Sequence, residues 1–146
     1  MAVAANLAAP DAPARLFTDV EGQLGPVDVL VTNAAHCESP DTIDALTADS
    51  LQRHFRINAI APSLLTAEFA RRAHGRQALC VVNISTDAAR CFAGQLGYGT
   101  SEAALEAFTR AAALDSRSQE SGSTPWHPAP YRPAGSATAP SATSAP

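Results

Sequence analysis

LGPVDVLVTNAA, residues 24–35, carries the strongest structural signal in this chain. Its apolar, β-branched run at 27–31 is interrupted by a single Asp and predicts a strand buried on both faces of a sheet. Gly25-Pro26 ends a helix before this run, and Thr32-Asn33 ends the strand. A helix followed directly by a buried strand indicates an α/β domain.

The sequence on both sides of this strand alternates between helical and extended patterns. Upstream, Asp11 is positioned to cap a helix over about residues 13–24. Downstream, a long helical pattern from Asp49 ends at Gly75 as a left-handed cap, a second buried strand follows at 79–84, and an Ala-rich helix spans 101–114. Strands that alternate with helices predict right-handed crossovers and a parallel sheet.

Composition limits the classes of function. The 146 residues are enough for one domain, and 46% of them are hydrophobic. A net charge of −4 with ten Lys and Arg argues against a nucleic-acid or membrane-surface protein. Three cysteines fit a reducing cytoplasm, and neither they nor His36, His54 and His74 have ligand spacing, so we expect no metal site.

The chain changes character after Asp115. Residues 116–146 contain no Leu, Ile, Val, Met or Phe and are rich in Pro, Ser and Ala. Such a segment buries too little apolar surface to offset the entropy of ordering it. We therefore predict a folded part over residues 1–115 and a disordered tail over residues 116–146.

Four separately placed features belong together: the 24–35 run, Asn58 in the long helix, Ser85 just after the second strand, and Tyr98 thirteen residues later. In order and spacing they resemble the short-chain dehydrogenase/reductase family. The resemblance covers about residues 2–114. It implies the central portion of a doubly wound, Rossmann-like parallel sheet, and an NAD- or NADP-dependent oxidoreductase that interconverts a small-molecule carbonyl and an alcohol.

The resemblance also implies roles for individual residues. Tyr98 would be the general acid/base, Ser85 a hydrogen-bond partner of the substrate carbonyl, and Asn58 part of a water-mediated proton relay. Pro62, four residues after Asn58, has no N–H, so the Asn58 carbonyl loses its helical partner. Asn33, Ala34 and Asn6 would contact the cofactor, and Asn6 stands where members usually carry an Asp.

The family pattern breaks at Glu102, where members have Lys one helical turn after the tyrosine. An ammonium favours the phenolate, whereas a carboxylate opposes it. We therefore expect Tyr98 to stay protonated and to transfer protons poorly. A glycine-rich phosphate loop does not precede Ala2, and the cluster Gly94, Gly97 and Gly99 favours loop flexibility rather than phosphate binding. We also expect residues 27–31 to have an open sheet edge.

Three functions stay open at this point. The first is an oxidoreductase that is feebly active or inactive. The second is a non-catalytic fragment that docks on a full-length homologue through its two long helices, as a homo- or hetero-oligomer. The third is a non-functional product of a frameshift near codon 116, because codons for residues 116–135 can be chosen whose shifted frame resembles the family's next strand.

Overall fold

The computed structural model describes residues 2–73, 75–76 and 79–118. Its elements follow the predicted alternation of helices and strands. In chain order they are helix α1 (Ala12–Leu24), strand β1 (Val29–Thr32), helix α2 (Ala48–Phe55), a π-helical turn (Arg56–Ile60), helix α3 (Ala61–Arg72), strand β2 (Cys80–Asn83), a 3₁₀ turn (Asp87–Arg90) and helix α4 (Leu96–Ser118).

The two strands pair in parallel, as the sequence predicted. The register runs from Val29 opposite Cys80 to Thr32 opposite Asn83. Both strands therefore end at the same edge of the sheet, and that edge is where parallel α/β proteins bind their ligands. Residues 2–6 form no strand.

The core lies between the sheet and the pair α1 and α3. Phe17 of α1 and Phe69 of α3 have ring centroids 6.2 Å apart, and the Arg72 guanidinium lies 5.7 Å from the Phe17 ring. Such aromatic and cation–π contacts add to the burial of apolar area. The buried cluster consists of Phe17, Leu65, Phe69, Ala73, Leu79 and Val81.

The prediction that the first strand is buried on both faces was wrong. Val29 is 55% exposed and Val31 is 57% exposed, while Leu30 packs against the core. Alternate residues of a strand point to opposite faces, and the described residues cover only the face on which Leu30 lies. An apolar run of this kind is typical of a strand that is buried on both faces. The described residues supply the packing layer on only one of those faces.

The long helix predicted from Asp49 to Gly75 is interrupted. Its middle is a π-helical turn in which the Ala61 N–H donates to the Arg56 carbonyl, five residues earlier. Pro62 follows this turn and has no backbone N–H, so it cannot donate the hydrogen bond that a regular helix would place there. The widened turn lies directly before this missing bond. The helix ends at Arg72, and Gly75 then has a φ of 77°, which confirms its left-handed conformation.

Two predicted boundaries need correction. Asp11 does precede α1, but its side chain makes no capping hydrogen bond and instead lies 3.4 Å from Arg15. Helix α4 begins at Leu96 and continues to Ser118, so Ser116 is helical and buried rather than part of a disordered tail. Residues 119–146 lie outside the described residues. None of the described helices is both long and apolar enough to cross a membrane.

Candidate functional site

Polar side chains converge where β1 and β2 end. The Thr32 hydroxyl donates to Asn83 Oδ1 at 2.7 Å, which links the last residues of the two strands. Asn83 Nδ2 in turn donates to the Thr109 hydroxyl of α4 at 2.9 Å. These bonds fix the middle of α4 against the strand ends.

Asn58 is buried in the π-helical turn and binds two other segments. Its side-chain amide accepts a hydrogen bond from the His36 N–H at 2.6 Å and donates to the His36 carbonyl at 2.9 Å. It also donates to the Ser101 hydroxyl of α4 at 2.9 Å. Asn58 thus holds the loop after β1 against α4.

Tyr98 is oriented by a residue that the sequence did not suggest. Asp41, which is 2% exposed, accepts hydrogen bonds from the backbone N–H groups of Gly97 at 2.8 Å and Tyr98 at 2.9 Å. The first N–H groups of a helix have no partner inside the helix, and a carboxylate satisfies them and complements the helix dipole. Asp41 therefore caps α4 from a distant loop.

The predicted glycine loop is in part a helix. Gly97 and Gly99 lie in α4, whereas Gly94 precedes it with a φ of 77°. A Cβ at Gly97 would lie 2.8 Å from His54 Nδ1, and one at Gly99 would lie 2.5 Å from the Ala88 carbonyl oxygen. Loop flexibility was therefore the wrong interpretation for these two glycines, which allow α4 to approach its neighbours closely.

The phenol of Tyr98 is held away from ionisation. Burial is the main cause that raises its pKa, the Glu102 carboxylate adds to it, and a hydrogen bond with Thr86 opposes it. This agrees with the predicted effect of Glu102, although burial contributes more than charge. At neutral pH such a phenol is almost entirely protonated, so very little phenolate is present to act as a general base.

Glu102 is a buried acid that lies close to a second acid, Glu106. It is 3% exposed, and its Oε2 has no hydrogen-bond partner. Burial raises the pKa of Glu102, hydrogen bonding with Ser85 lowers it, and Glu106 raises it. The Ser85 hydroxyl donates to Glu106 Oε1 at 3.2 Å. Ser85 has one hydroxyl proton and faces two carboxylates, so the structure brings Ser85 and Glu102 together with an acid that the sequence did not single out.

The predicted cofactor contacts lie apart in the chain. Asn33 and Ala34 are exposed directly after β1, at the edge where both strands end. Asn6 is also exposed, and its Oδ1 accepts a hydrogen bond from the Ala8 N–H at 3.0 Å. The Asn6 side chain is thus used in a local turn.

Two of the histidines lie close together with an acidic residue. His36, Glu38 and His54 offer ligand atoms that all lie within 4.8 Å of one another, although their sequence spacing gave no sign of this. The Glu38 carboxylate receives two hydrogen bonds from Arg53, at 3.0 and 3.2 Å. These bonds are the largest cause that lowers the pKa of Glu38, to about 2, with Ser50 contributing next. His74 lies outside the described residues.

The statistical model of the family described as short chain dehydrogenase matches residues 1–120 of the chain. The chain belongs to the short-chain dehydrogenase/reductase family. It is 35% identical over 115 residues to an uncharacterized oxidoreductase of Mycobacterium tuberculosis, covering 77% of this chain and 43% of that protein. This short-chain dehydrogenase/reductase therefore spans less than half the length of that relative.

Solved structures of the family have the same fold. A short-chain dehydrogenase from Burkholderia cenocepacia in complex with NADP superposes with a TM-score of 0.70 at 28% identity, covering 77% of this chain and 46% of that one. A 4-hydroxyisoleucine dehydrogenase complexed with NADH gives a TM-score of 0.72 at 25% identity, covering 80% and 52%. The Rossmann-like α/β fold predicted from the sequence is thereby confirmed.

Proposed function

We propose that this chain is a short-chain dehydrogenase/reductase whose carbonyl–alcohol chemistry with NAD or NADP is very weak or lost. In this proposal Tyr98 is the proton donor and acceptor, Ser85 binds the substrate oxygen, and Asn58 belongs to the relay that supplies the proton. A bound nicotinamide would supply the hydride. Ser85 and Tyr98 follow β2 in the order and spacing of the family, at the edge where both strands end.

The observation that carries the proposal is the buried carboxylate of Glu102. Tyr98 would have to release its proton readily, and it lies one helical turn from a buried acid that raises its pKa. Ser85 would have to donate to the substrate, and its hydroxyl donates instead to Glu106. Two of the three groups required for proton transfer are therefore affected by acidic neighbours on α4.

The residues fit one part of a nicotinamide cofactor. Glu102 Oε2 is buried without a partner, and an oxygen of this kind accepts hydrogen bonds from hydroxyl groups such as those of ribose. The exposed Asn33 and Ala34 would line the same edge. The pair Glu102 and Glu106 adds negative charge, however, so this edge attracts the anionic parts of a dinucleotide poorly. We propose that the cofactor binds weakly through its ribose.

Turnover by matched variants tests this function. Oxidation of NADH and NADPH is followed with a panel of aldehydes and ketones, for the unaltered chain, Tyr98→Phe and Glu102→Lys. We expect the unaltered chain to be little or no faster than Tyr98→Phe. Steady turnover by the unaltered chain that Tyr98→Phe abolishes would show that it is a competent enzyme and would refute the proposal.

A second candidate function is docking on a full-length family member in the cytoplasm. The exposed apolar side chains favour it, since Val29, Val31 and Ile84 are each about half exposed or more at the sheet. Helices α3 and α4 also carry exposed Leu64 and Leu114. Exposed apolar patches mark interaction surfaces. Co-expression with a full-length homologue tests it: a complex that Val31→Lys abolishes supports docking, and separate elution of the two chains contradicts it.

A further inference from the structure

We propose that His36, Glu38 and His54 form a binding site for a divalent transition-metal ion of the Zn²⁺ class. The three side chains come from two separate segments, the loop after β1 and helix α2. Their ligand atoms all lie within 4.8 Å of one another, and His36 Nε2 lies 3.3 Å from Glu38 Oε2. This inference does not depend on the oxidoreductase proposal.

The distances suit a tetrahedral ion. Zn²⁺ binds imidazole nitrogen and carboxylate oxygen at about 2.0–2.2 Å, which separates tetrahedral ligand atoms by about 3.3–3.5 Å. The His36–Glu38 pair already has this separation, and the widest pair needs to close by no more than about 1.5 Å. His36 and Glu38 are partly exposed, with 32% and 27% of their side-chain surface accessible, so both can move toward an ion.

His54 has the environment of a metal-binding histidine. It is fully buried, and its Nδ1 lies 2.9 Å from the Ser50 carbonyl oxygen. A carbonyl only accepts, so Nδ1 carries the proton and Nε2 keeps its lone pair. Metal-binding histidines almost always donate their second N–H in this way, and the bond fixes the orientation of the ring. Nε2 accepts a hydrogen bond from the backbone N–H of Glu38 in the same loop, with the two nitrogens 3.4 Å apart, and a bound ion would replace this N–H as the partner of the lone pair.

Hydrogen bonds from neighbouring side chains also hold the two loop ligands, His36 and Glu38, in place. Both the N–H and the carbonyl of His36 are bonded to the buried Asn58 side chain. The Glu38 carboxylate is oriented by Arg53, which makes hydrogen bonds to both of its oxygens. Three protein ligands leave one tetrahedral position open, for water or another small ligand. Arg53 carries a positive charge, so it orients Glu38 and at the same time disfavours a cation.

The double role of Arg53 provides a sharp test. Titration calorimetry with ZnCl₂ measures affinity and stoichiometry, and the absorption bands of bound Co²⁺ report the coordination geometry. We expect one ion per chain with tetrahedral Co²⁺ bands. His36→Gln and Glu38→Gln each remove one metal ligand. Loss of a group that only contacts a ligand weakens metal binding by about 10–100-fold, so we expect these two variants to weaken it by at least that factor. Arg53→Gln breaks the same ion pair as Glu38→Gln, yet it should bind Zn²⁺ as tightly or more tightly.

Two controls separate this site from other ligands. His127→Gln removes a histidine from outside the described residues, and Cys37→Ser removes the exposed thiol between the two loop ligands. Both variants should bind as the unaltered chain does. The proposal is overturned if the unaltered chain binds no Zn²⁺ at millimolar concentration, or if His36→Gln and Glu38→Gln bind it with unchanged affinity. Equal weakening by Glu38→Gln and Arg53→Gln would also overturn it, since that result indicates a purely structural ion pair.

Discussion

The buried carboxylate of Asp41 accepts a hydrogen bond from the backbone N–H of Tyr98 at 2.9 Å. This bond joins the loop after β1 to the helix that carries the proposed proton donor, and a second bond from Gly97 N–H strengthens the junction. The Leu96 N–H donates to the Asp41 carbonyl at 3.2 Å as well. The position of Tyr98 thus depends on a residue that precedes it by 57 positions.

Replacement of this cap should destabilise the fold. Asp41→Ala leaves one buried and one partly buried N–H group without partners, and loss of a helix cap costs about 0.5–2 kcal/mol. We expect the free energy of unfolding, measured by urea denaturation, to fall by about 2 kcal/mol, the upper part of that range, because the site is buried. Asp11→Ala is the matched control, since Asp11 precedes α1 without a capping bond, and its cost should stay below about 0.5 kcal/mol. Equal losses for the two variants would contradict the capping role.

Reversal of the charge at residue 102 should ease the ionisation of Tyr98. Glu102→Lys replaces a carboxylate that raises the pKa of the phenol with an ammonium that lowers it, and Glu106 lies close enough to pair with the new charge. The chain has two tyrosines, so in a Tyr131→Phe background the ultraviolet absorbance of tyrosinate reports Tyr98 alone. We expect a lower pKa in Glu102→Lys. Asp19→Lys makes the same change in net charge on the exposed side of α1 and should leave the titration unchanged.

Glu102 should also make the fold less stable at neutral pH than in mild acid. Its folded pKa lies above the unfolded value of 4.5, so the native state binds the proton more tightly. The free energy of unfolding then falls as the pH rises from about 4.5 through the folded pKa. Glu102→Gln removes this fall and supplies an amide donor toward Ser85 and Glu106. We expect it to raise stability at pH 7 by about 1–3 kcal/mol, the scale of an unsatisfied buried polar group.

Glu68 supplies a control of opposite sign for that experiment. It is buried in α3, and hydrogen bonds from Arg72, and then Arg71, lower its pKa. Its contribution to stability is complete above the unfolded pKa and is lost as the pH falls through the folded pKa. Glu68→Gln should therefore weaken the fold at pH 7. Urea denaturation of the unaltered chain and of both variants from about pH 2.5 to pH 8 gives the pH slope that each carboxylate contributes to the free energy of unfolding, and slopes of the same sign would contradict the assignment.

Local patterns predicted the elements well, because each depends on residues close in sequence. The α1 helix and both strands, with their parallel pairing, follow from apolar period, Gly25-Pro26 and the alternation of elements. The local patterns could not predict which faces of the sheet are packed against helices. An apolar run indicates that a strand suits burial on both faces, but it does not show whether the described residues supply both covers, and at Val29 they do not.

The candidate site was predicted only where a family resemblance supplied it. Ser85, Tyr98 and Glu102 were predicted from order and spacing. Asp41 was missed because a cap from a distant loop leaves no local pattern, in contrast to a cap directly before a helix. The meeting of His36 with His54 was missed for the same reason, since 18 positions separate them and only tertiary packing brings them together.

Gly99 also makes a close contact with a residue distant in sequence, which no local pattern indicates. A Cβ at Gly99 would lie 2.5 Å from the Ala88 carbonyl oxygen, and a backbone atom of the packed 3₁₀ turn cannot move aside cheaply. Gly99→Ala should therefore lower the free energy of unfolding by about 1–3 kcal/mol, the usual cost of overpacking. Gly22→Ala in α1 has open space around the new methyl group and should raise stability by about 0.5–1 kcal/mol. Urea denaturation of both variants measures the difference, and stabilisation of both would show that α4 does not pack closely against the turn at Ala88.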